Sequence, residues 1–255
     1  MLLKDKIALV TGITNDKSIA YFIAKQYAEQ GAKLVLTYQG DRLKETVEKI
    51  GKELNAPLCL ECDATNEENI KELFNTIDSK LGGLDVFVHA IAFANKNELA
   101  GGITNTTADG FKLALEVSAY TLLGMSKYAI PLMEKRGGGS IMALTYIGST
   151  RALPAYNAMG IAKAALESSV RYLALECGPK NIRVNSISPG PIRTVAARSI
   201  PGFLDMYNDF TERSLMKQHI SGEDVAGTAV YLGSDLSRAV TGIIIFIDGG
   251  FHCVA

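Results

Sequence analysis

The sequence has little of what marks several common classes of protein. Its 26 Lys and Arg nearly balance its 27 Asp and Glu, so a formal net charge of −1 gives no basic excess for nucleic acid. With 47% hydrophobic residues and so small a net charge, the chain is not intrinsically disordered. No apolar run reaches the roughly 18 residues of a membrane span. We therefore expect a globular protein that binds neither nucleic acid nor membrane.

Cysteine is also scarce, with four among 255 residues. Cys59 and Cys62 have the Cys-x-x-Cys spacing of redox and zinc sites, but no second Cys/His pair is near enough in sequence to complete a metal site. We interpret residues 57–62 as a buried strand, in which cysteine acts as a small hydrophobic residue, and expect no metal. The N-terminal residues lead straight into a strand rather than a signal peptide, which predicts a cytoplasmic protein with reduced cysteines.

Short apolar runs alternate with helical patterns along the whole chain. The first four runs begin 24 to 27 residues apart, the length of a strand with its crossover helix. Because the runs are almost entirely apolar, both faces of the sheet should be covered, as in a parallel sheet between two helix layers. The predicted strands are residues 7–11, 34–38, 58–62, 85–89, 141–145, 183–187 and 243–247.

Helices are predicted between these strands, at residues 18–30, 42–53, 67–80, 109–135, 157–177 and 222–232. The alternation predicts one domain over residues 1–255, an α/β fold with a doubly wound, seven-stranded parallel sheet of the Rossmann type. Two longer segments, residues 90–107 and 189–217, follow strand ends where such sheets bind ligands. We expect the second to form a substrate lid around residues 190–217, with Ile200 among its apolar residues. A surface helix packed on the core is the alternative.

The turn after the first strand has some features of a dinucleotide-binding site. Gly12 can make a tight turn, Ser18 is a suitable N-cap that could offer its hydroxyl to phosphate, and Ala20 permits close helix packing. The usual Gly-x-Gly-x-x-Gly pattern is absent, so an ordinary strand-to-helix turn remains an alternative at this point.

The ends of the second and third strands favour the dinucleotide interpretation. Gln39 is placed to bond ribose hydroxyls, and no Arg or Lys stands at position 39 or 40 to meet a 2′-phosphate. This favours NADH over NADPH, although Arg42 is close by. Asp63 ends the third strand with a carboxylate suited to an adenine amino group. His89 ends the fourth strand, where a lone histidine is more often structural than catalytic.

A tyrosine and a lysine follow the fifth strand. Tyr156 and Lys163 are separated by nearly two helical turns, so both side chains can share one helix face. An ammonium near a phenol lowers the pKa of the phenol, which would make Tyr156 a usable proton donor. The same separation occurs in Tyr120…Lys127 and Tyr128…Lys135, and only the position after a strand end distinguishes the first pair.

The order of these features resembles the short-chain dehydrogenase/reductase superfamily over the whole chain. The resemblance also includes residues 185–190 (Asn-Ser-Ile-Ser-Pro-Gly) and 248–250 (Asp-Gly-Gly). Members of that superfamily usually carry Tyr-x-x-x-Lys, with a Ser about 13 residues before the Tyr. Here Met159 occupies the tyrosine position before Lys163, and Tyr146 occupies the serine position. The one Tyr-x-x-x-Lys, Tyr21 to Lys25, lies in the first helix and is interpreted as chance.

This departure resembles the bacterial NADH-dependent enoyl-acyl carrier protein reductases. The shared pattern combines Gly12-x5-Ser18-Ile-Ala, Tyr38-Gln39, residues 89–94, Tyr146-x9-Tyr156-x6-Lys163 and residues 189–194. The resemblance implies reduction of a trans-2-enoyl thioester in fatty acid biosynthesis, with Tyr156, Tyr146 and Lys163 as catalytic residues and Ala94, Tyr146 and Tyr156 facing the substrate. It also implies a set of NADH-binding residues: Gly12, Ser18, Ile19, Gln39, Asp63, Ala64, Ile91, Lys163, Ile192, Arg193, Thr194, Val195 and Ala196.

The displaced tyrosine has a chemical reason. A ketone reductase develops charge on the oxygen next to the carbon that receives hydride, whereas an enoyl thioester delocalises the charge to an oxygen farther along. Moving the tyrosine three residues along the helix shifts it by about 4.5 Å. A 3-oxoacyl thioester reductase and a non-catalytic NADH-binding protein remain the alternatives. The resemblance further implies an acyl carrier protein as partner and a homotetramer, since the apolar helix at 157–177 needs cover on more than one side.

Overall fold

The computed structural model describes residues 1–198 and 202–254. Within these ranges, seven parallel strands form one sheet in the order β3-β2-β1-β4-β5-β6-β7. Every strand lies within two residues of its predicted segment, so the predicted doubly wound α/β class is confirmed. The strands are β1 Ile7–Val10, β2 Lys33–Tyr38, β3 Leu58–Glu61, β4 Val86–His89, β5 Gly139–Leu144, β6 Ile182–Pro189 and β7 Ile244–Ile247.

Helices cover both faces of the sheet. The described ranges contain α1 Ile19–Glu29, α2 Asp41–Glu53, α3 Glu67–Leu81, α4 Lys96–Leu99, α5 Ala108–Leu115, α6 Thr121–Lys135, α7 Asn157–Cys177, α8 Val195–Arg198, α9 Phe203–Arg213 and α10 Gly222–Gly233. None of the helices in this part of the chain has the length and hydrophobicity needed to cross a bilayer.

Two apolar cores explain why the strands are apolar throughout. Along β1, Ala8 and Val10 face a core shared with α1, α2 and α10, while Ile7 and Leu9 face a core shared with α3, α6 and α7. Successive strand residues point to opposite faces, so a strand buried on both sides must be apolar at every position.

The third strand differs from its prediction. Residues 57–62 were expected to be buried, but β3 is an edge strand whose residues are half-buried or exposed. Cys59 is half-buried against Gly51 of α2, and Cys62, just beyond the strand, is buried. Local apolar composition predicts a strand but not its position in the sheet order, and only a central strand is covered on both sides.

The helical segment predicted at residues 109–135 is interrupted. Between α5 and α6, one π-helical turn covers Glu116–Tyr120, and Pro131 lies inside α6. The turn directs Ser118 to the backbone of Phe93, whose amide donates to Ser118 Oγ and whose carbonyl accepts from it. A π turn keeps the chain helical, so hydrophobic periodicity predicts one continuous element.

The strand order reverses between β1 and β4. From β1 the chain moves outward to β2 and β3, and it returns to β4 on the other side of β1. In sheets of this kind the usual ligand site is the crevice at such a reversal, at the carboxyl ends of the strands.

Candidate active site

The turn after β1 requires glycine at position 12. The hydroxyl and backbone amide of Thr11 both donate to the Val88 carbonyl, at 3.0 and 3.1 Å, which ties the ends of β1 and β4 together. Gly12 has a left-handed backbone with φ of +84°, and a Cβ there would overlap the carbonyl oxygen of Ala90. No L-residue with a side chain fits this turn without displacing the end of β4.

The N-terminus of α1 leaves donors available. Ser18 is at the N-cap position as predicted, but its hydroxyl donates to the Asn15 carbonyl at 2.6 Å rather than capping the helix. The backbone amides of Ile19 and Ala20 donate to no group among residues 1–198 and 202–254. Free amides at the positive end of a helix dipole bind phosphate groups. The arrangement fits a dinucleotide pyrophosphate, to which backbone amides, rather than the Ser18 hydroxyl, would donate hydrogen bonds.

Gln39 and Asp63 meet at the ends of β2 and β3. Partial burial of Asp63 would raise its pKa, but hydrogen bonds from the side chain and backbone of Thr65 and from the side chain of Gln39 hold the pKa below its ordinary value. The pair presents an ionised carboxylate and a neutral amide, which fits hydroxyl and amino groups of an adenosine. Arg42 is exposed on α2. Ala64 and Ile91, also predicted to bind cofactor, are half-buried next to the core under α3.

Tyr156, Tyr146 and Lys163 come together at the carboxyl end of β5. The rings of Tyr146 and Tyr156 meet edge to face, with their centroids 5.1 Å apart. Lys163 is buried on α7, and its ammonium donates to the carbonyl of Leu144 at 2.7 Å. Ala94, predicted to face the substrate, packs against the small apolar cluster that contains Tyr156. The structure therefore places the three predicted catalytic residues and Ala94 in one location.

An unusual backbone holds Tyr156 at the start of α7. The residues on either side, Ala155 and Asn157, have left-handed φ values of +57° and +25°. The side-chain amide of Asn157 donates to the carbonyls of Leu99 and Gly101, at 3.1 and 3.2 Å, which fixes the entry of the helix to the loop after β4. Strained backbone of this kind is typical of sites where one side chain must be held in a fixed direction.

The protonation of Tyr156 differs from its prediction. We expected Lys163 to lower the pKa of the phenol, but burial raises that pKa well above its ordinary value, and Tyr146 and Glu167 raise it further. The lysine ammonium is directed at the Leu144 carbonyl, and the burial of the phenol determines the direction of the shift. Tyr156 is thus a neutral hydroxyl, and it hydrogen-bonds to no other group in the described ranges. Such a hydroxyl can donate to a developing oxyanion.

Three other buried titratable groups near Tyr156 also have shifted pKa values. Burial lowers the pKa of Lys163 to about 8, although the carboxylate of Glu167 opposes this shift. Burial and then the charge of Lys163 lower the pKa of His89 to about 3, so the imidazole is neutral beside Thr121, with Nε2 2.8 Å from Oγ1. Burial raises the pKa of Tyr146 to about 12. At neutral pH the site therefore holds one ammonium and two neutral phenols.

The segment after β6 reaches Tyr146 through α9. Ile192 packs against the core, the Arg193 guanidinium lies 4.4 Å from the Tyr207 ring centroid, and Thr194 Oγ1 accepts from the Ala197 amide at the start of α8. Val195 is exposed. Along α9, Phe203, Tyr207 and Phe210 are buried, and Leu204 is exposed. The sulfur of Met206 is 3.5 Å from the Tyr146 hydroxyl. Ile200 lies outside the described residues, as do the side chains of Ala196 and Arg198.

Two residues at the site were not predicted. A Cβ on Gly148 would lie 2.7 Å from Cε1 of Tyr156, so this glycine leaves the space in which the ring lies. The second residue is Glu167, which lies one turn after Lys163 and is buried despite its carboxyl group. A glycine two residues after Tyr146 could have indicated this position in the sequence, because glycine is common where the backbone closely approaches a reacting group. Nothing in the local sequence marks Glu167 as buried.

The comparisons with known proteins agree with this geometry. A family model described as Enoyl-(Acyl carrier protein) reductase matches residues 12–252. The enoyl-acyl-carrier-protein reductase (NADH) FabI of Bacillus subtilis is 44% identical over 255 residues, covering 99% of this chain and 98% of that relative. The crystal structure of the Aquifex aeolicus reductase (NADH) has a TM-score of 0.96 at 43% identity, covering 99% of this chain and 98% of that one.

A further solved structure contains a dinucleotide. The Anaplasma phagocytophilum enoyl-acyl-carrier-protein reductase, crystallised in complex with NAD, has a TM-score of 0.96 at 39% identity. The match covers 100% of this chain and 97% of that one. The resemblance seen in the sequence is confirmed along nearly the whole chain, and the protein belongs to the enoyl-acyl carrier protein reductase family.

Proposed function

We propose that this protein uses NADH to reduce the trans-2 double bond of an enoyl thioester in fatty acid biosynthesis. The observation that carries the proposal is the neutral Tyr156 hydroxyl, which starts α7 two turns before the buried ammonium of Lys163. Tyr156 and Ala94 pack in one apolar cluster, at the carboxyl end of the sheet where an α/β fold binds its ligands.

The cofactor would be held along the crevice between β1 and β4. Gly12 and the amides of Ile19 and Ala20 fit the pyrophosphate, and Gln39 with Asp63 fits the adenosine. Lys163 would hold the nicotinamide ribose hydroxyls, and residues 192–196 would cover the nicotinamide amide and pyrophosphate. When bound, NADH supplies the hydride that reaches the β-carbon of the enoyl thioester. An uncharged Gln39 favours NADH over NADPH.

The side chains of this protein would stabilise the charge that forms on the substrate. Addition of hydride at the β-carbon moves electron density to the thioester oxygen, and the Tyr156 hydroxyl donates a hydrogen bond to that oxygen. Its raised pKa keeps the proton on the phenol, so Tyr156 acts as a donor and not as a base. Protonation of the α-carbon then completes the reduction. Lys163 adds positive charge, and Tyr146 fixes the ring of Tyr156 by its edge contact.

The remaining expectations are part of the same proposal. The segment around 190–217 would act as a lid, because Met206 on α9 contacts Tyr146. Leu175 and Tyr172 on α7 are 76% and 73% exposed, and this uncovered apolar surface supports a homotetramer. The substrate would be presented by acyl carrier protein. All four cysteines are free, which supports a cytoplasmic location.

Substrate selectivity tests the proposal. NADH oxidation is followed at constant protein concentration with a trans-2-enoyl thioester and with a 3-oxoacyl thioester of the same chain length. We expect turnover with the first substrate only. Turnover with only the second would identify a ketone reductase, and NADH binding without turnover of either would indicate a non-catalytic binding protein.

Two variants test the separate roles. Tyr156→Phe should lower kcat with little effect on NADH affinity, since only a substrate contact is lost, whereas Lys163→Ala should weaken NADH binding. Tyr128→Phe and Lys135→Ala are matched controls, because this pair has the same separation but bonds to surface carboxylates of α3. Both controls should keep wild-type kinetics. Equal loss of NADH affinity in Tyr156→Phe and Lys163→Ala would refute the division of roles.

A further inference from the structure

Glu167 is a buried acid for which the proposed mechanism has no use. It lies one helical turn after Lys163 on α7, and each of the two residues is only 5% exposed. A carboxylate removed from water is costly unless hydrogen bonds or an opposite charge compensate it. Its burial one helical turn from a buried ammonium therefore needs an explanation.

Three consecutive residues at the end of β5 organise this region. The carbonyl of Leu144 accepts from Lys163 Nζ at 2.7 Å, and the hydroxyl of Thr145 donates to Glu167 Oε1 at 2.6 Å. The ring of Tyr146 then meets the ring of Tyr156. The end of one strand thus holds the ammonium, the carboxylate and the reacting tyrosine of a single helix, which fixes their relative positions.

The groups around Lys163 leave Glu167 as its counter-charge. His89 at the end of β4 is buried and neutral, and Tyr146 and Tyr156 are neutral phenols. Among the described residues, Glu167 is the group that favours the charged form of Lys163 against desolvation. Without that carboxylate, the ammonium would be a single uncompensated charge in the interior.

We propose that Glu167 is a positioning residue that acts through Lys163. Its carboxylate, anchored by Thr145, keeps Lys163 an ammonium with Nζ on the Leu144 carbonyl, in the place where the proposed function requires it to hold the nicotinamide ribose. The carboxylate of Glu167 accepts from Thr145, so we assign it a role through the lysine and no direct contact with substrate or cofactor.

The pH dependence of NADH affinity tests the proposal. Glu167→Gln keeps the shape and an acceptor for Thr145 but removes the charge, Glu167→Asp keeps the charge, and Glu176→Gln changes an exposed acid of the same helix. NADH affinity, measured by fluorescence titration, should fall above about pH 8 in the wild type, as Lys163 loses its proton. In E167Q the fall should occur about one pH unit lower, which is about tenfold in affinity at a fixed pH. E167D and E176Q should follow the wild type. An unshifted profile for E167Q, or an equal shift for E167D, would overturn the proposal.

A double-mutant cycle, measured as Tm, tests the interaction of Glu167 with Lys163 without the cofactor. E167Q should lower the Tm of the wild type, because it removes the counter-charge of Lys163. In the Lys163→Met background E167Q should raise the Tm, because there it removes an unpaired buried carboxylate. If E167Q alone does not fold, the Tm values of K163M and K163M/E167Q still test whether the two charges compensate each other. An equal change in both backgrounds would refute the pairing, whereas a wild type that binds no NADH at any pH would refute only the proposed function.

Discussion

Replacing Gly148 with alanine is expected to lower kcat by displacing the ring of Tyr156. Gly148 lies in the 3₁₀ turn Ile147–Ser149, and its φ is not left-handed, so the backbone accepts alanine. The new methyl group would lie 2.7 Å from Cε1 of Tyr156 and closer still to Cδ1. The substitution therefore acts on the tyrosine ring and not on the conformation of the turn.

The geometry sets the size of the effect. Ordinary van der Waals contact begins at 3.4 Å, so the ring must retreat by roughly 1 Å in a close-packed interior. Tyr146 lies against the edge of the ring and Met159 is buried in the same cluster, so the whole side chain moves and carries its hydroxyl along. Misplacing a reacting group by about 1 Å costs on the order of 10²-fold in rate. We therefore expect kcat to fall about 100-fold, with NADH affinity unchanged.

Steady-state kinetics with a trans-2-enoyl thioester separates kcat from KM, and thermal melting checks that the variant is folded. Gly227→Ala is the matched control, because Gly227 is exposed on α10 and an added Cβ there meets nothing within 4 Å. In a Tyr156→Phe background, Gly148→Ala should cause little further loss, since the hydroxyl it misplaces is already absent. A kcat for G148A equal to that of G227A, or additive losses with Tyr156→Phe, would refute the reasoning.

Two further predictions concern Gly12, after β1, and His89, at the end of β4. Gly12→Ala should abolish NADH binding in a fluorescence titration, because its Cβ overlaps the Ala90 carbonyl; Gly82→Ala, with φ of +80° but no overlap, is the control for backbone strain and should keep NADH affinity. The pKa of His89 is lowered to about 3, so the folded state excludes a proton that the unfolded chain binds below about pH 6.5, and stability should fall on acidification by up to about 1.4 kcal/mol per pH unit. Urea unfolding at neutral and at acidic pH should show that the free energy of unfolding depends less on pH in His89→Gln than in the wild type. An identical pH dependence in both would contradict the lowered pKa of His89.

The fold was largely predictable, because periodicity reports local structure and burial. All seven strands were found, since a strand covered on both faces has to be apolar at each position. The edge position of β3 was missed, because strand order depends on pairing between distant segments. The π turn at Glu116–Tyr120 was missed because it adds a residue without ending the helix.

The sequence predicted which side chains lie together at the end of β5 but not their electrostatics. Tyr120…Lys127, Tyr128…Lys135 and Tyr156…Lys163 share one spacing, and the strand end before Tyr156 is what singled out that pair. Tyr120 proves to be 61% exposed, and Tyr128 bonds to Glu67 on the surface. The raised pKa of Tyr156 could not be predicted in the same way. It depends on the depth of the phenol and on the direction of the Lys163 ammonium, and neither is a property of spacing.

Lys163 and Glu167 illustrate why the same sequence pattern can mean two things. A lysine and a glutamate four residues apart usually form a solvated pair on an exposed helix face, worth a few tenths of a kcal/mol. Here α7 is packed between the sheet and its neighbouring helices, so both charges are buried, and each then needs a compensating partner. Leu144, the last residue of β5, and Thr145, directly after it, supply those partners. Because Tyr146 follows directly, any shift in the register of α7 against β5 would move the lysine, the acid and Tyr156 together, relative to Tyr146. The buried pair would therefore couple the placement of the cofactor to that of the proton donor.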